Sequence, residues 1–454
     1  LLGRPAAASH GIGFGRLAPW LGAGAAFLCG LAIPFNVILL SQAGQDVRLL
    51  DVVSMAMFPV ALWLSLRRTY LLLALLLLGV VFFLPSLIQA AVLFARYDEL
   101  NDIVFPVRFL TAIVLCGALT PLLDRARPRS LFALGMGLGC CLNIIPLVFE
   151  RLGQHQTMVA LGLAPSDLAV QPWDLQLRPP GLHGHANATS AVISLAIPVA
   201  AFMAVSSPRR WWLLLPLAVG AQLACSYYTE TRGAVLVSVV TLAYAAALRW
   251  RAASLLVLAP LLGLAALVAA GISDGPLLPQ SFTRLDTAGA NATERLSTMA
   301  AGLQVMLEQP WGLGRTLGSD MVYRITGVGG TTATHVTSIP MHNSFVWLGV
   351  TFGLVPVVLT LVGFIAMATR AGRLDADGLR GLLAFHIFGL CLFEDHFQNA
   401  SFIALLMLLL GGWLAGLLAP APPNPAYRGP AYRGPAWVSG HAAAWRGQLR
   451  SSNP

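Results

Sequence analysis

Arginine and histidine side chains recur where three polar segments of the chain meet long apolar ones. Arg178 opens the segment RPPGLHGHANATSA, Arg232 follows SYYTET, and a segment containing Arg295 leads to His342 in MHNSFVWLG. Guanidinium groups stay charged and bind phosphate oxygens through paired hydrogen bonds. Histidine accepts a proton near neutral pH, which suits it to general-base catalysis. These residue types favour a site that binds a phosphate or diphosphate and removes a proton from a second reactant.

The four residues have distinct expected roles. We predict that Arg232 and Arg295 bind and neutralise a diphosphate with help from Arg178, and that His342 is the general base. The accessory candidates near them in the sequence are Asn343, His185 and Asn187. Structural explanations stay open: Arg232 could anchor to lipid headgroups, Arg295 could be a first-turn helix residue, and His342 could cap a helix with its neighbour. A second polar cluster, which either shapes a cavity or reaches the membrane interface, comprises Glu394, Asp395 and His396.

Two other chemistries lack sequence support. The chain contains no Walker-type phosphate loop, and its six cysteines do not follow the spacing of a metal site. Asp375 and Asp377 form an Asp-x-Asp pair, but they lie among arginines in a short connection, and we interpret them as a solvated turn. The sequence therefore predicts a site that works without a metal ion or another cofactor.

Composition places this chemistry at a membrane. Of 454 residues, 57% are hydrophobic and only 10% are charged, whereas a soluble domain carries about a quarter charged residues. The apolar residues form blocks of about 18–25, the length that crosses about 30 Å of hydrocarbon as a helix. We predict an all-α polytopic membrane protein, and we interpret the net charge of +9 as a topology signal, not as nucleic-acid binding.

The apolar blocks predict about twelve transmembrane helices. Their expected limits are 19–42, 49–66, 70–94, 104–123, 130–149, 186–205, 211–228, 233–248, 252–272, 343–368, 379–397 and 401–419. If the N-terminus is cytoplasmic, every short cytoplasmic connection receives at least two arginines, as the positive-inside rule requires. Both termini are then cytoplasmic, and the long segments that carry the candidate site residues are outside.

The domain organisation follows from these limits. We expect helices one to nine in 1–272, with an outer loop near 150–185, a large outer loop in 273–342, helices ten to twelve in 343–419, and a disordered tail in 420–454. Within the large loop, apolar residues recur at helical spacing, namely Leu296, Met299, Ala300, Leu303, Met306 and Leu307. Asn291 and Glu294 resemble a capping box at its start, and Pro310 follows its end. Such a helix would lie flat on the bilayer or cover a cavity.

Three local patterns, in their order, resemble those of bacterial O-antigen ligases and the related O-antigen polymerases and protein O-oligosaccharyltransferases. The first is RPPGLHGHANATSA at 178–191, and the second is TETRGAVLVSVV at 229–240. The third is ERLSTMAAGLQVMLEQPWGLG at 294–314, followed by MHNSFVWLGVTFGLVPVV at 341–358. The likeness covers nearly the whole chain, with departures after Arg295, where Ser297 and Thr298 replace a frequent Trp, and at His185-Ala186, where the family often has Pro before Asn.

The resemblance implies a function that the residue types alone do not specify. It implies an O-antigen ligase of GT-C-like fold in the bacterial inner membrane, with its active site on the periplasmic face. Such an enzyme is a metal-independent glycosyltransferase, and a base on one face of the sugar with the diphosphate on the other predicts a single displacement with inversion. It moves O-antigen polysaccharide from undecaprenyl diphosphate to lipid A–core in lipopolysaccharide biosynthesis. The implied partners are these two glycolipids and the surrounding membrane lipids.

Two alternatives stay open at this point. An O-antigen polymerase or a protein O-oligosaccharyltransferase would use the same donor, so the arginines do not distinguish them from a ligase. A transporter of an anionic lipid is a different class, which places charged residues near the middle of the membrane and uses repeated, broken helices. The polar residues of this chain cluster outside the predicted spans, which favours an enzyme.

Overall fold

Helices dominate the computed structural model, which describes residues 14–42, 45–97, 103–165, 179–206, 213–229, 231–249, 288–326 and 341–420. In chain order, the helices are α1 (Phe14–Ala32), α2 (Leu49–Arg67), α3 (Thr69–Leu78), α4 (Leu84–Tyr97), α5 (Val104–Leu123), α6 (Ala126–Leu142), α7 (Ile144–Arg151), α8 (His155–Ala160), α9 (Ala186–Ser194), α10 (Ala196–Ser206), α11 (Leu214–Thr229), α12 (Gly233–Arg249), α13 (Ala288–Glu308), α14 (Arg315–Thr326), α15 (Ser344–Phe352), α16 (Leu354–Ala368), α17 (Ala376–Cys391) and α18 (Ala400–Leu418). A π-helical turn at Gly79–Phe83 joins α3 to α4, and 3₁₀ turns occupy Gly181–His183 and His396–Gln398.

Six helical segments of the described ranges are long and apolar enough to cross a membrane. They are Leu49–Arg67, Thr69–Ala95, Val104–Leu123, Ala126–Arg151, Ala186–Ser206 and Ala400–Leu418. Three shorter apolar helices accompany them, at Trp20–Ala32, Gly233–Leu248 and Leu354–Ala368. The prediction of a helical, membrane-embedded protein is thus confirmed. The number of twelve spans and the GT-C arrangement stay predictions, and the span expected at 252–272 and the tail 421–454 lie outside the described residues.

Burial separates central helices from peripheral ones. α18 is apolar on all sides, and it is buried from Ser401 to Ala415, as expected of a helix surrounded by others. α2 instead exposes large apolar side chains such as Met55 and Leu66. In a membrane, lipid chains cover such a surface, so apolar residues there need no protein partner.

A short β-hairpin replaces the second half of the first predicted span. α1 ends at Ala32, and the strands β1 (Ile38–Gln42) and β2 (Gln45–Arg48) pair antiparallel directly before α2. The prediction of one helix over 19–42 is therefore wrong beyond Ala32. A short apolar run does not distinguish a strand from the end of a helix by its periodicity. The hairpin places Arg48 at the start of α2.

The predicted span 343–368 is broken at Gly353, where the chain from α13 docks. Residues 310–314 run along the break: Leu313 N donates to the Val350 carbonyl (2.9 Å), and Leu354 N donates to the Pro310 carbonyl (2.9 Å). Gly312 and Gly353 have positive φ angles of 79° and 96°, and their backbones touch. Backbone groups that the break releases are thus satisfied by the loop that carries α13.

α13 itself differs from expectation at its start. It begins at Ala288, three residues before Asn291, so Asn291 is not its N-cap. Its end at Glu308, before Pro310, agrees with the prediction. Ala301, Val305 and Met306 are buried, and this side of α13 packs against α15. The site-bearing loop is therefore fixed to the helical body.

Acidic and basic side chains form ion pairs at the C-terminal end of α2 and the N-terminal end of α17, which are the ends away from Arg48. Asp377 forms ion pairs with Arg370 and Arg373, in the connection between α16 and α17, and with Arg380 of α17. Asp375 caps α17, because its Oδ1 accepts from Asp377 N (3.0 Å) and Gly378 N (3.2 Å). Asp375 is exposed in the turn before α17, as the interpretation of a solvated turn expects, whereas Asp377 is half-buried in the first turn of α17 among its arginine partners.

Candidate functional site

A polar cavity of about 700 Å³ opens between β2, α5, α9, α13, α15 and the connection between α17 and α18. Its lining residues are Arg48, Arg108, His183, His185, Asn187, Ala188, Glu294, Arg295, His342, Glu394, Asp395, His396, Gln398, Asn399 and Ala400. They come from distant parts of the chain, so the fold brings them together. The volume lies in the range of about 300–1,000 Å³ that is usual for binding sites of small organic molecules.

His342 holds an unusual backbone conformation at this cavity. Its φ is 50°, in the left-handed region that non-glycine residues seldom adopt. Asn343 follows as the N-cap of α15, and its Oδ1 accepts from Phe345 N (3.0 Å) and Val346 N (3.1 Å). The expected capping role therefore belongs to Asn343 alone. The cap and the turn before it leave the His342 side chain at the cavity wall.

Glu394 contacts three of the predicted site residues. Its Oε2 lies 3.3 Å from His342 Nδ1, and its Oε1 lies 3.1 Å from Arg295 and accepts from Asn187 Nδ2 at 2.7 Å. The Ser344 hydroxyl donates to the Glu394 carbonyl at 2.6 Å, which fixes this backbone against α15. A carboxylate only accepts hydrogen bonds, so Nδ1 of His342 carries the shared proton. Nε2 is then the ring nitrogen available for proton transfer.

The two adjacent carboxyl groups have opposite pKa shifts. Burial alone raises the pKa of Glu394, but the hydrogen bond from His342 and the charge of Arg295 outweigh it and bring the pKa below its ordinary value. Burial and the negative charge of Glu394 raise the pKa of Asp395 to about 6. Glu394 is therefore a lasting anion beside His342, whereas Asp395 changes charge in a mildly acidic range.

Two arginines that the sequence analysis did not select lie in the same cavity. Arg48 pairs with Asp46 through one terminal nitrogen (3.1 Å), and its buried Nε has no hydrogen-bond partner among the described residues. Arg108, on α5, donates to the carbonyl of Gln398 (2.8 Å). Neither forms an ion pair with a carboxylate that lines the cavity, as far as the structure describes the chain. This part of the cavity can therefore attract an anion.

His183 is a structural residue of the cavity wall. Its Nε2 donates to the carbonyl of Pro34 (3.1 Å), and its Nδ1 accepts from Asn399 Nδ2 (3.0 Å). Burial, aided by the charge of Arg48, lowers its pKa to about 3. His183 thus stays neutral near pH 7, and it joins the chain after α1 to the start of α18.

The structure brings most, but not all, of the predicted site residues to the cavity. His342, Arg295, His185 and Asn187 line it, and Arg295 reaches it as the partner of Glu394. Arg232 precedes α12 and is absent from the lining. Its neighbour Gly233 nevertheless lies against Phe393, next to Glu394 in the chain. Arg178 lies outside the described residues.

The sequence contains a weak signal for each of the two arginines that the sequence analysis did not select. Arg108 lies inside the predicted span 104–123, where an isolated charge in an apolar helix marks a functional position. Arg48 ends the first outer connection, which was interpreted only as a boundary between spans. Both lie at the outer ends of predicted spans. The positive-inside pattern does not account for them, which is the same signal that singles out Arg232.

Taken together, the cavity offers a proton acceptor oriented by a carboxylate, and two arginines suited to an anion. Within the described ranges, no three His, Cys, Asp or Glu side chains converge as metal ligands. The chain matches no known protein-family model and no curated protein sequence. What the site does is therefore inferred from its residues and their geometry.

Proposed function

We propose that the protein is a membrane glycosyltransferase that uses a lipid-linked diphosphate donor, and more specifically an O-antigen ligase. The observation that carries the proposal is the pairing of His342 with Glu394 in the same cavity as Arg48, Arg108 and Arg295. A base and several guanidinium groups suit the attack of a hydroxyl on a sugar whose leaving group is a diphosphate. The resemblance of the sequence to O-antigen ligases supports the same chemistry.

In the proposed reaction, His342 Nε2 takes the proton of the acceptor hydroxyl as its oxygen bonds to the anomeric carbon. The bond from that carbon to the diphosphate oxygen breaks, and the lipid diphosphate leaves with the electron pair. Glu394 stabilises the imidazolium that forms. Arg48 and Arg108 neutralise the leaving diphosphate together with the unused donors of Arg295. Attack opposite the leaving group inverts the anomeric configuration.

Arg232 and Arg178 keep supporting roles in the proposal. Arg232 directly precedes Gly233, which lies against the side chain of Phe393, the neighbour of Glu394 in the chain; this proximity supports a proposed contact of Arg232 with the donor outside the described cavity. Arg178 directly precedes Pro179 and the buried turn Gly181–His183 at the cavity wall. The proposed location is the periplasmic face of the bacterial inner membrane, with both termini in the cytoplasm. The acceptor is proposed to be lipid A–core.

The test is a transfer assay with purified protein in nanodiscs, undecaprenyl-diphosphate-linked O-antigen and lipid A–core, with EDTA present. We expect transfer by the wild type. His342→Ala should lower kcat by roughly 10²–10⁴-fold while donor binding persists. Arg48→Gln should instead weaken donor binding by roughly ten- to a hundred-fold, as for loss of a charge-assisted hydrogen bond. Arg324→Gln is the control, because Arg324 is 75% exposed and pairs with Asp320.

Different results would redirect the proposal. Near-wild-type transfer by His342→Ala would exclude this residue as the base. Extension of the lipid-linked glycan without lipid A–core would indicate a polymerase, and transfer to a protein acceptor would indicate a protein O-oligosaccharyltransferase. Movement of the donor across the bilayer without any transfer would indicate a transporter. That outcome is disfavoured because the cavity lies at the ends of helices, not midway along them.

A further inference from the structure

The surface of α13 divides into three sectors. The packed sector contains Thr298, Ala301 and Val305, all nearly inaccessible to solvent. A second sector is apolar and exposed: Leu296, Leu303 and Leu307 show 60%, 45% and 63% of their surface. At 3.6 residues per turn, these three leucines fall in one line along the helix. α13 therefore has an apolar line that no described part of the protein covers.

The third sector is polar and lies beside the leucine line. Gln304 and Glu308 are both exposed, and Gln304 Nε2 donates to Glu308 Oε1 at 2.8 Å. Ser297 lies on the same side of the helix. A helix that contacts only protein on one side and only water on the other has two sectors, one buried and one polar. The additional apolar line indicates a third environment, which is neither the protein interior nor water.

The apolar line continues into the exposed side of a neighbouring apolar helix. Trp311, 81% exposed, follows the end of α13, and its backbone contacts Gly353 at the break before α16. α16 leaves this junction with Val355 and Val358 each 55% exposed. Because α16 is one of the apolar helices of the membrane-embedded body, its exposed valines face lipid. The exposed apolar surface thus passes from α16 through Trp311 towards α13.

We propose that α13 lies in the membrane–water interface, with the leucine line and Trp311 in contact with lipid and Gln304 and Glu308 facing water. Three exposed leucines in one line are the apolar half of an interfacial helix, and tryptophan is enriched at this depth. The inference does not depend on the proposed reaction. It has a consequence for the cavity, since Arg295, two turns into α13, is then held at the height of lipid headgroups.

The test is site-directed spin labelling of the full chain in phosphatidylcholine nanodiscs. Single cysteines replace Leu303, Leu307, Gln304 or Glu308, and the accessibility of each nitroxide to oxygen and to a water-soluble nickel chelate is measured. The six native cysteines are buried or half-buried, and labelling of the unmodified chain gives the background. Leu62→Cys, on the exposed side of α2, is the reference for a lipid-facing position.

We expect the ratio of oxygen to nickel-chelate accessibility at positions 303 and 307 to approach that at position 62. At 304 and 308 the chelate should dominate. All four positions are exposed, so the substitutions leave the packing of α13 unchanged. Dominance of the chelate at all four would overturn the proposal and place α13 in water. Exclusion of both reagents at 303 and 307, with spin–spin broadening, would also overturn it and show that a second copy covers the leucines.

Discussion

His342 combines a strained backbone with an oriented ring. A left-handed conformation costs a residue other than glycine on the order of 1 kcal/mol, so surrounding contacts must maintain it. Asn343 does so from the α15 side, and Glu394 does so through the imidazole. Strain of this kind, held by a cap and a hydrogen bond, is frequent at functional sites, and it agrees with the proposed role of His342.

Glu394→Gln should lower transfer more than its small change in size suggests. The glutamine keeps the shape but loses the charge that stabilises the imidazolium, and its amide can present N–H to Nδ1 and reverse the tautomer. We expect kcat to fall by at least about ten-fold, as when a carboxylate that orients a catalytic histidine is neutralised. Glu308→Gln, on the water-facing side of α13, is the matched control. Equal activities of the two variants would exclude Glu394 as a positioning residue.

Asp395 gives the protein a pH-dependent stability. Its pKa is raised from 3.8 to about 6 by burial and by Glu394. A raised folded-state pKa contributes stability that is complete below the unfolded pKa and is lost as pH rises through about 6. Asp395→Asn removes this loss, which is on the order of 2–3 kcal/mol. The thermal midpoint of the variant minus that of the wild type should therefore increase as the pH is raised from 5 to 7.5. A pH-independent difference would show that Asp395 does not titrate there.

The limits of helices that are flanked by charged residues were the easiest to predict from the sequence. Arginines and short polar connections marked the limits of α5 at 104–123 as predicted, and those of α2, α12 and α18 within one or two residues, because charged residues are costly within the hydrocarbon and are therefore rare there. The hairpin after α1 and the break at Gly353 were not predictable in the same way. Both depend on backbone hydrogen bonds to distant segments, such as that from Leu354 to Pro310, which leave no periodic trace in the sequence.

The junction of residues 310–314 with the break before α16 should be intolerant of any side chain at its glycines. A Cβ on Gly312 would lie 2.6 Å from Gly353 N, and one on Gly353 would lie 2.5 Å from the Pro310 carbonyl. Gly312→Ala and Gly353→Ala also force a positive φ on alanine, which alone costs about 1–3 kcal/mol. We expect both to lower the thermal midpoint. Gly220→Ala, with open space around its Cβ position, should not. An unchanged midpoint for Gly312→Ala would show that α13 does not depend on this junction.

At the scale of the whole molecule, the cavity and the paired arginines lie at opposite ends of helices. α2 runs from Arg48 at the cavity to Arg67, and Arg68 then pairs with Asp124 (3.7 Å). A helix of 19 residues spans about 28 Å, close to the thickness of the hydrocarbon core. The sequence predicted this separation through its arginines. It did not predict which side chains meet at the cavity, because Arg48, His342 and Glu394 are far apart in the chain.

The separation predicts which residues can be reached from outside the cell. Gln304, on α13, and Leu374, in the connection between α16 and α17, are both exposed, and the proposed topology puts them on opposite sides of the membrane. In intact spheroplasts, a membrane-impermeant maleimide should modify Gln304→Cys but not Leu374→Cys, and lysis should make both reactive. Positively charged connections tend to stay in the cytoplasm, so the arginines around residue 374 support the proposed orientation. Labelling of Leu374→Cys alone in intact spheroplasts would invert the topology and move the cavity to the cytoplasmic face. A lipid-linked donor would then have to be used before it crosses the membrane, which is incompatible with a periplasmic ligase.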